Sequence, residues 1–126
     1  MILVDSTKYI TWMRQGRNPV ALLAAPLTAG KLLTCGIIRI EVLRGVIKPK
    51  AKAELTRFFD IMPEIPLTPA LLCDAAELAW TLDRQGQVLP VSDLIIATCA
   101  KRAGATVITE DLHFRQIPGL KLRADL

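Results

Sequence analysis

Apolar residues along this chain fall into two kinds of run, and the difference predicts the elements. Short unbroken runs read as strands buried on both faces: "MILV" (1–4), "KLLT" (31–34) and "ATVIT" (105–109). "EIPLT" (64–68) is a weaker extended piece, and "LKLR" (120–123) reads as a short last edge strand. Longer stretches carry apolar residues at helical spacing. "STKYITWMRQG" (6–16) opens on hydroxyl residues and ends in Gly16. "NPVALLAAPLTAG" (18–30) has Asn18 to cap it, Pro19 at its first helical position and Pro26 to limit its far end. "GIIRIEVLRGV" (36–46) closes near Gly45. "PKAKAELTRFFDIM" (49–62) puts Leu55, Phe58, Phe59 and Met62 on one face. "PALLCDAAELAWTLDRQG" (69–86) is the longest helix, with a stripe of Leu71, Ala75, Leu78, Ala79 and Leu82. A last helix begins at Ser92 or Asp93 and stops at Gly104.

Strands and helices thus alternate, with no repeat, low-complexity tract or long linker. The pattern predicts one α/β domain over residues 1–126, its sheet of four to five strands mainly parallel and covered by helices on both faces. Burial of both faces accounts for a hydrophobic content of 52% and a mean hydropathy of +0.37. No apolar run approaches the ~18 residues of a membrane span. The first residues lack a basic segment and carry Asp5, so they do not read as a signal peptide. The expected location is the cytoplasm. Cys35, Cys73 and Cys99 are odd in number and widely spaced, which argues against a disulfide framework or zinc site and for small buried hydrophobes.

In a parallel sheet, strand C-termini and helix N-termini share one edge, and ligands bind in the crevice there. Four acids fall at that edge. Asp5 follows the first strand, and Asp111 lies just past the fourth. Asp93 opens the helix leading into that fourth strand, and Glu41 stands within two turns of the start of the helix after "KLLT". Each has an ordinary explanation when taken alone. Asp93 could cap a helix, and Asp5 and Asp111 are common turn residues. Glu41, in an otherwise apolar helix, has the weakest such explanation. Together they describe a pocket where carboxylates repel, some are pushed to protonate, and a divalent cation relieves the conflict. Such a cation also suits attack on phosphate. The net charge of +4 and pI near 9.2 add a mild preference for a polyanion around that acidic pocket.

These residues carry a family resemblance. "ILVDSTKYI", "IIRIEVLRG", "LPVSDLIIATCAKRAGATVITEDLHF" and "IPGLKL", in that order across nearly the whole chain, resemble the PIN-domain ribonucleases, and among them the VapC toxins of VapBC toxin–antitoxin pairs. The segment 48–67 carries no family mark. The resemblance implies a PIN-like three-layer α/β/α sandwich. It implies a Mg²⁺- or Mn²⁺-dependent endoribonuclease with Asp5, Glu41, Asp93 and Asp111 as both catalytic and metal-binding residues. It implies single-stranded or loop RNA as substrate, in tRNA or rRNA, cut to leave a 5′-phosphate and a 3′-hydroxyl. It also implies a homodimer silenced by a VapB-like antitoxin. Ser6 and Thr109 match positions where the family often has a small hydroxyl residue, there to orient carboxylates or waters. Glu110 stands beside Asp111, and sequence does not separate their roles.

Other residues admit plainer readings. His113, the single histidine, lies next to the pocket but is read as a bystander, because a metal-bound water needs no histidine. Arg39, Arg44 and Arg115 are read as surface charges or phosphate contacts, and Lys101 and Arg102 as favourable charges at a helix end. Trp12 and Trp80 are read as core or interface anchors. Two other functions compete with the nuclease: a receiver-like Mg²⁺-binding signalling domain, and a PIN domain that binds RNA or a partner without cutting. Retention of all four acids counts against the last.

Overall fold

The computed structural model describes residues 1–126. Five strands, β1 (Ile2–Val4), β2 (Leu32–Cys35), β3 (Glu64–Ile65), β4 (Thr106–Ile108) and β5 (Lys121–Arg123), form one sheet in the order β3-β2-β1-β4-β5. Every pairing is parallel, so the expected mainly parallel sheet is wholly so. Parallel neighbours require crossover connections. These are supplied by six helices: α1 (Ser6–Arg14), α2 (Pro19–Thr28), α3 (Gly36–Arg44), α4 (Pro49–Ile61), α5 (Pro69–Arg84) and α6 (Val91–Ala103). A 3-10 helix, Leu112–Gln116, joins β4 to β5. The two strands with the weakest sequence patterns, β3 and β5, are the sheet edges.

Burial follows the sequence pattern. One continuous core of 26 buried residues takes Leu3 and Val4 from β1, Leu32 from β2, and Val107 and Ile108 from β4. From α4 it takes Leu55, Phe58 and Phe59, and just beyond it Met62, the face the spacing predicted. Tyr9 and Trp12 of α1 pack with Phe59, the Tyr9 ring lying 6.1 Å from Trp12 and 5.5 Å from Phe59. Leu71, Ala75 and Leu82 are the buried stripe of α5.

Four local expectations need correction. Asn18 caps α2 by accepting from the Val20 N–H, but the helix runs through Pro26 to Thr28. A proline in the last turn removes one donor without breaking the turns before it. Helix α6 begins at Val91 rather than Ser92 or Asp93, so Asp93 lies inside its first turn and makes no cap bond. Cys73 is exposed, unlike the buried Cys35 and Cys99. Trp80 is 60% exposed, with the Arg84 guanidinium 5.1 Å from its ring centroid, which removes the core half of its reading as a core or interface anchor. No helix is long and apolar enough to cross a membrane.

Candidate metal centre

Strands β1, β2 and β3 run to one side of the sheet while β4 and β5 continue on the other, so the chain reverses its winding between β1 and β4. In open parallel sheets, ligands bind at the C-terminal ends of the strands flanking such a reversal. Asp5 follows β1 directly, and its N–H donates to the Ile108 carbonyl (3.0 Å), tying it to the end of β4. Thr109, Glu110 and Asp111 follow β4.

The four acids are drawn together, though not equivalently. One ligand atom from each of Asp93, Asp111 and His113 lies within 4.8 Å of the others. His113 Nδ1 is 3.0 Å from Asp111 Oδ1 and 3.4 Å from Asp93 Oδ2. Asp5 and Glu41 stand outside this group but share its field. Glu41 Oε1 accepts from Ser6 Oγ (3.2 Å). Asp5 Oδ2 accepts from two hydroxyls, Thr7 Oγ1 (2.7 Å) and Thr109 Oγ1 (3.0 Å). Thr109 Oγ1 also accepts from the Asp111 N–H (3.0 Å), so one hydroxyl holds two acids of the pocket in register.

Crowding has the predicted electrostatic result. Burial, then the charges of Asp111 and Asp5, raise the Asp93 carboxyl from 3.8 to about 6. Glu41 is raised by burial and by Asp5 and Asp111, against lowering by the Ser6 hydrogen bond and the Arg44 charge. Asp93 is buried, and its Oδ2 accepts no hydrogen bond. With only the His113 ring nearby, at 3.4 Å, a buried carboxylate oxygen that accepts no hydrogen bond is costly unless something positive meets it. Four converging carboxylates, one with an unsatisfied buried oxygen, fit a hard divalent cation bound through oxygen. His113 adds a nitrogen donor.

Glu110 is separated from Asp111 here. Its Oε1 meets Lys8 Nζ (3.1 Å) and its Oε2 accepts from Thr11 Oγ1 (3.2 Å). Lys8 is only 3% exposed; its ammonium lies 5.4 Å from the Trp12 ring and also approaches Asp125 (3.7 Å). The pair turns Glu110 toward α1, away from the group around Asp93. Glu110→Gln is therefore expected to leave metal binding near the wild-type level, as isothermal titration would show. A large loss would return Glu110 to the pocket.

Sequence reasoning passes over Thr7 and Lys8 and sets His113 aside. Thr7 is hidden among the hydroxyls that begin a helix, and a lysine in that first turn reads as exposed. A signal for His113 is available: Asp111 caps the 3-10 helix by accepting from the His113 N–H (2.9 Å), and this turn brings the ring back over the acid. Other cations have plain partners. Arg39 pairs with Asp60 (2.7 Å), Arg102 with Asp74 (2.8 Å), and Lys101 donates to the Pro118 carbonyl (3.1 Å).

Comparison with known proteins agrees with this fold. A chain of the VapBC2 complex from Rickettsia felis bound to a promoter DNA fragment superposes with a TM-score of 0.76 at 22% identity, covering 98% of each chain. A chain of DNA-bound VapBC from Salmonella typhimurium gives 0.79 at 18% identity, covering 97% of this chain and 96% of that one. A chain of VapBC-1 from nontypeable Haemophilus influenzae gives 0.75 at 20%, covering 98% and 97%. No curated protein matches this chain by sequence. The family model for the PIN domain matches residues 2–120. With its sheet order, its reversal point and its acids at that point, the chain belongs to the PIN-domain family.

Proposed function

We propose that this PIN domain is a divalent-metal-dependent endoribonuclease, the toxin of a toxin–antitoxin pair. The observation that carries the reading is the buried Asp93 Oδ2, which accepts no hydrogen bond and has only the His113 ring 3.4 Å away, among three further carboxylates at the sheet reversal. Asp5, Glu41, Asp93 and Asp111 are the proposed site residues, with Mg²⁺ or Mn²⁺ as the cation. Asp93 and Asp111 would hold it most directly. Asp5, whose Oδ2 is taken by two hydroxyls, keeps Oδ1 for a cation or an ordered water. Glu41, fixed by Ser6, completes the negative wall and can accept a proton from water. A bound divalent cation supplies polarisation of a phosphoryl oxygen and a more acidic attacking water. A nitrogen donor from His113 suits Mn²⁺ better than Mg²⁺.

The proposed substrate is RNA, with tRNA or rRNA as the first candidates, and the proposed inhibitor a VapB-like antitoxin. The similar folds come from VapBC complexes, which supports a protein partner for this chain. Apolar residues left outside the core, including Ile40, Ile47, Val88 and Val91, offer surface for an antitoxin and for a second copy in a homodimer. PIN membership sets aside the receiver-like reading.

Incubation of purified protein with end-labelled tRNA and an rRNA fragment tests the proposal. Discrete bands in Mg²⁺ or Mn²⁺, absent in EDTA and absent with Asp5→Asn, are expected. RNA binding without cleavage under any of these metals would replace the nuclease with a binding-only PIN domain.

A further inference from the structure

From Asp111 and Thr109 a cleft of about 470 Å³ extends away from the metal pocket, and its other walls have no role in the chemistry above. Its floor is the turn after β4, with Thr109, Glu110 and Asp111. One wall is the 3-10 helix, with Leu112 and Arg115. The other is the end of β5, with Leu122 and Arg123. The two arginines come from different elements, and β4–β5 pairing fixes one wall against the floor, since the Thr109 N–H donates to the Arg123 carbonyl (3.0 Å).

What marks this cleft is not charge alone but two arginines without a carboxylate partner set directly beside the candidate metal centre. Arg39 and Arg102 are spent on carboxylates, but neither Arg115 nor Arg123 has one within ion-pair distance. Two acids also line the cleft: Glu110, whose carboxylate is paired with Lys8 and held by Thr11, and Asp111, which belongs to the metal pocket. The cleft therefore presents two free guanidinium groups, which match phosphate oxygens in geometry as well as charge. Leu112, 62% exposed, and Leu122 provide an apolar surface beside them.

We infer that this cleft is a nucleotide subsite. Arg115 and Arg123 bind the phosphate next to the one at the acidic pocket, and Leu112 and Leu122 support its sugar and base. The inference rests on the nuclease reading for the identity of the ligand as single-stranded RNA. It assigns the direction in which the strand leaves the pocket: past Asp111 and over the end of β5.

The test is binding of a short fluorescein-labelled single-stranded RNA in EDTA, where no cleavage intervenes, across a salt series. Arg115→Ala/Arg123→Ala is expected to weaken binding roughly tenfold, with a salt slope shallower by about 0.7 for each phosphate no longer neutralised. Arg115→Lys/Arg123→Lys should keep most of the slope. Lys50→Ala/Lys52→Ala, which removes two exposed charges from α4, should match wild type. Unchanged binding in the arginine-to-alanine variant, an equal loss in the α4 variant, or no RNA binding by wild type would each overturn the subsite. Cleavage in Mn²⁺ is scored separately. Intact cleavage without the arginine effect removes the subsite alone, and an intact arginine effect without cleavage removes the nuclease reading alone.

Discussion

Asp93→Asn is expected to abolish RNA cleavage while making the metal-free protein more stable. The loss should reach about 10³-fold or more, the scale seen when a group that stabilises transition-state charge is removed. The gain has a separate cause. The folded chain holds a proton on Asp93 up to about pH 6, whereas the unfolded chain releases it near 3.8. Stability contributed by this group therefore falls as pH rises from about 4 to 6, and above 6 the ionised carboxylate opposes folding. Asn keeps the shape without the charge. At pH 7 it should stabilise the metal-free fold on the order of 1 kcal/mol, after allowance for solvent screening of the pocket. Thermal unfolding in EDTA measures this directly. The Tm difference between variant and wild type should shrink as pH drops from 7 to 5. Adding Mn²⁺ should raise the Tm of wild type and do little for the variant, reversing their order at saturating metal. Cleavage near the wild-type rate by folded Asp93→Asn would take Asp93 out of the site. A lower Tm for the variant in EDTA would show that its carboxylate is not in conflict with its neighbours.

Thr109→Val should lower apparent metal affinity and cleavage 10- to 100-fold, the usual cost of losing a group that orients ligands. The shape is nearly conserved and the site is buried, so the change isolates the hydroxyl. That hydroxyl donates to Asp5 Oδ2 and accepts from the Asp111 N–H, so its loss frees acids on both sides of the sheet reversal. The defect should be partly rescued by higher Mn²⁺, and Thr109→Ser should restore most activity. An activity curve against Mn²⁺ concentration is the measurement. Wild-type dependence on metal in Thr109→Val would mean that the hydroxyl only fills space. Thr7→Val, which removes one of two donors to Asp5 and leaves Asp111 untouched, should show the smaller loss.

Much of this molecule is written in local pattern. Unbroken apolar runs become β1, β2 and β4 because strands buried on both faces admit no polar alternation. The stripe Leu55–Phe58–Phe59–Met62 goes to the core because helical spacing aligns it. Positions of the acids at strand ends and early in helices also follow, since parallel connections place those ends at one edge. Thus the placing of Asp5, Glu41, Asp93 and Asp111 at one edge of the sheet could be read from order and spacing, though not that, of the four, only Asp93 and Asp111 join the group whose ligand atoms lie within 4.8 Å of one another. Helix ends were less legible: Pro26 and the start of α6 each shifted by a residue or two, because terminal turns depend on few hydrogen bonds.

Which acids pair, and what holds them, depended on contacts between residues about a hundred apart. Lys8 is buried because Trp12, one turn further along α1, and Glu110 receive it, and nothing near it in sequence announces Glu110. Sequence alone determined the strands, the helices and the edge of the sheet where the acids gather, because these follow from periodicity along the chain. Only the tertiary structure decided that Asp111 rather than Glu110 faces Asp93, that His113 joins them, and that Arg115 and Arg123 share a cleft. Those outcomes turn on side-chain distances of a few ångströms among residues 93–123, and for Glu110 on partners in α1 about a hundred residues away.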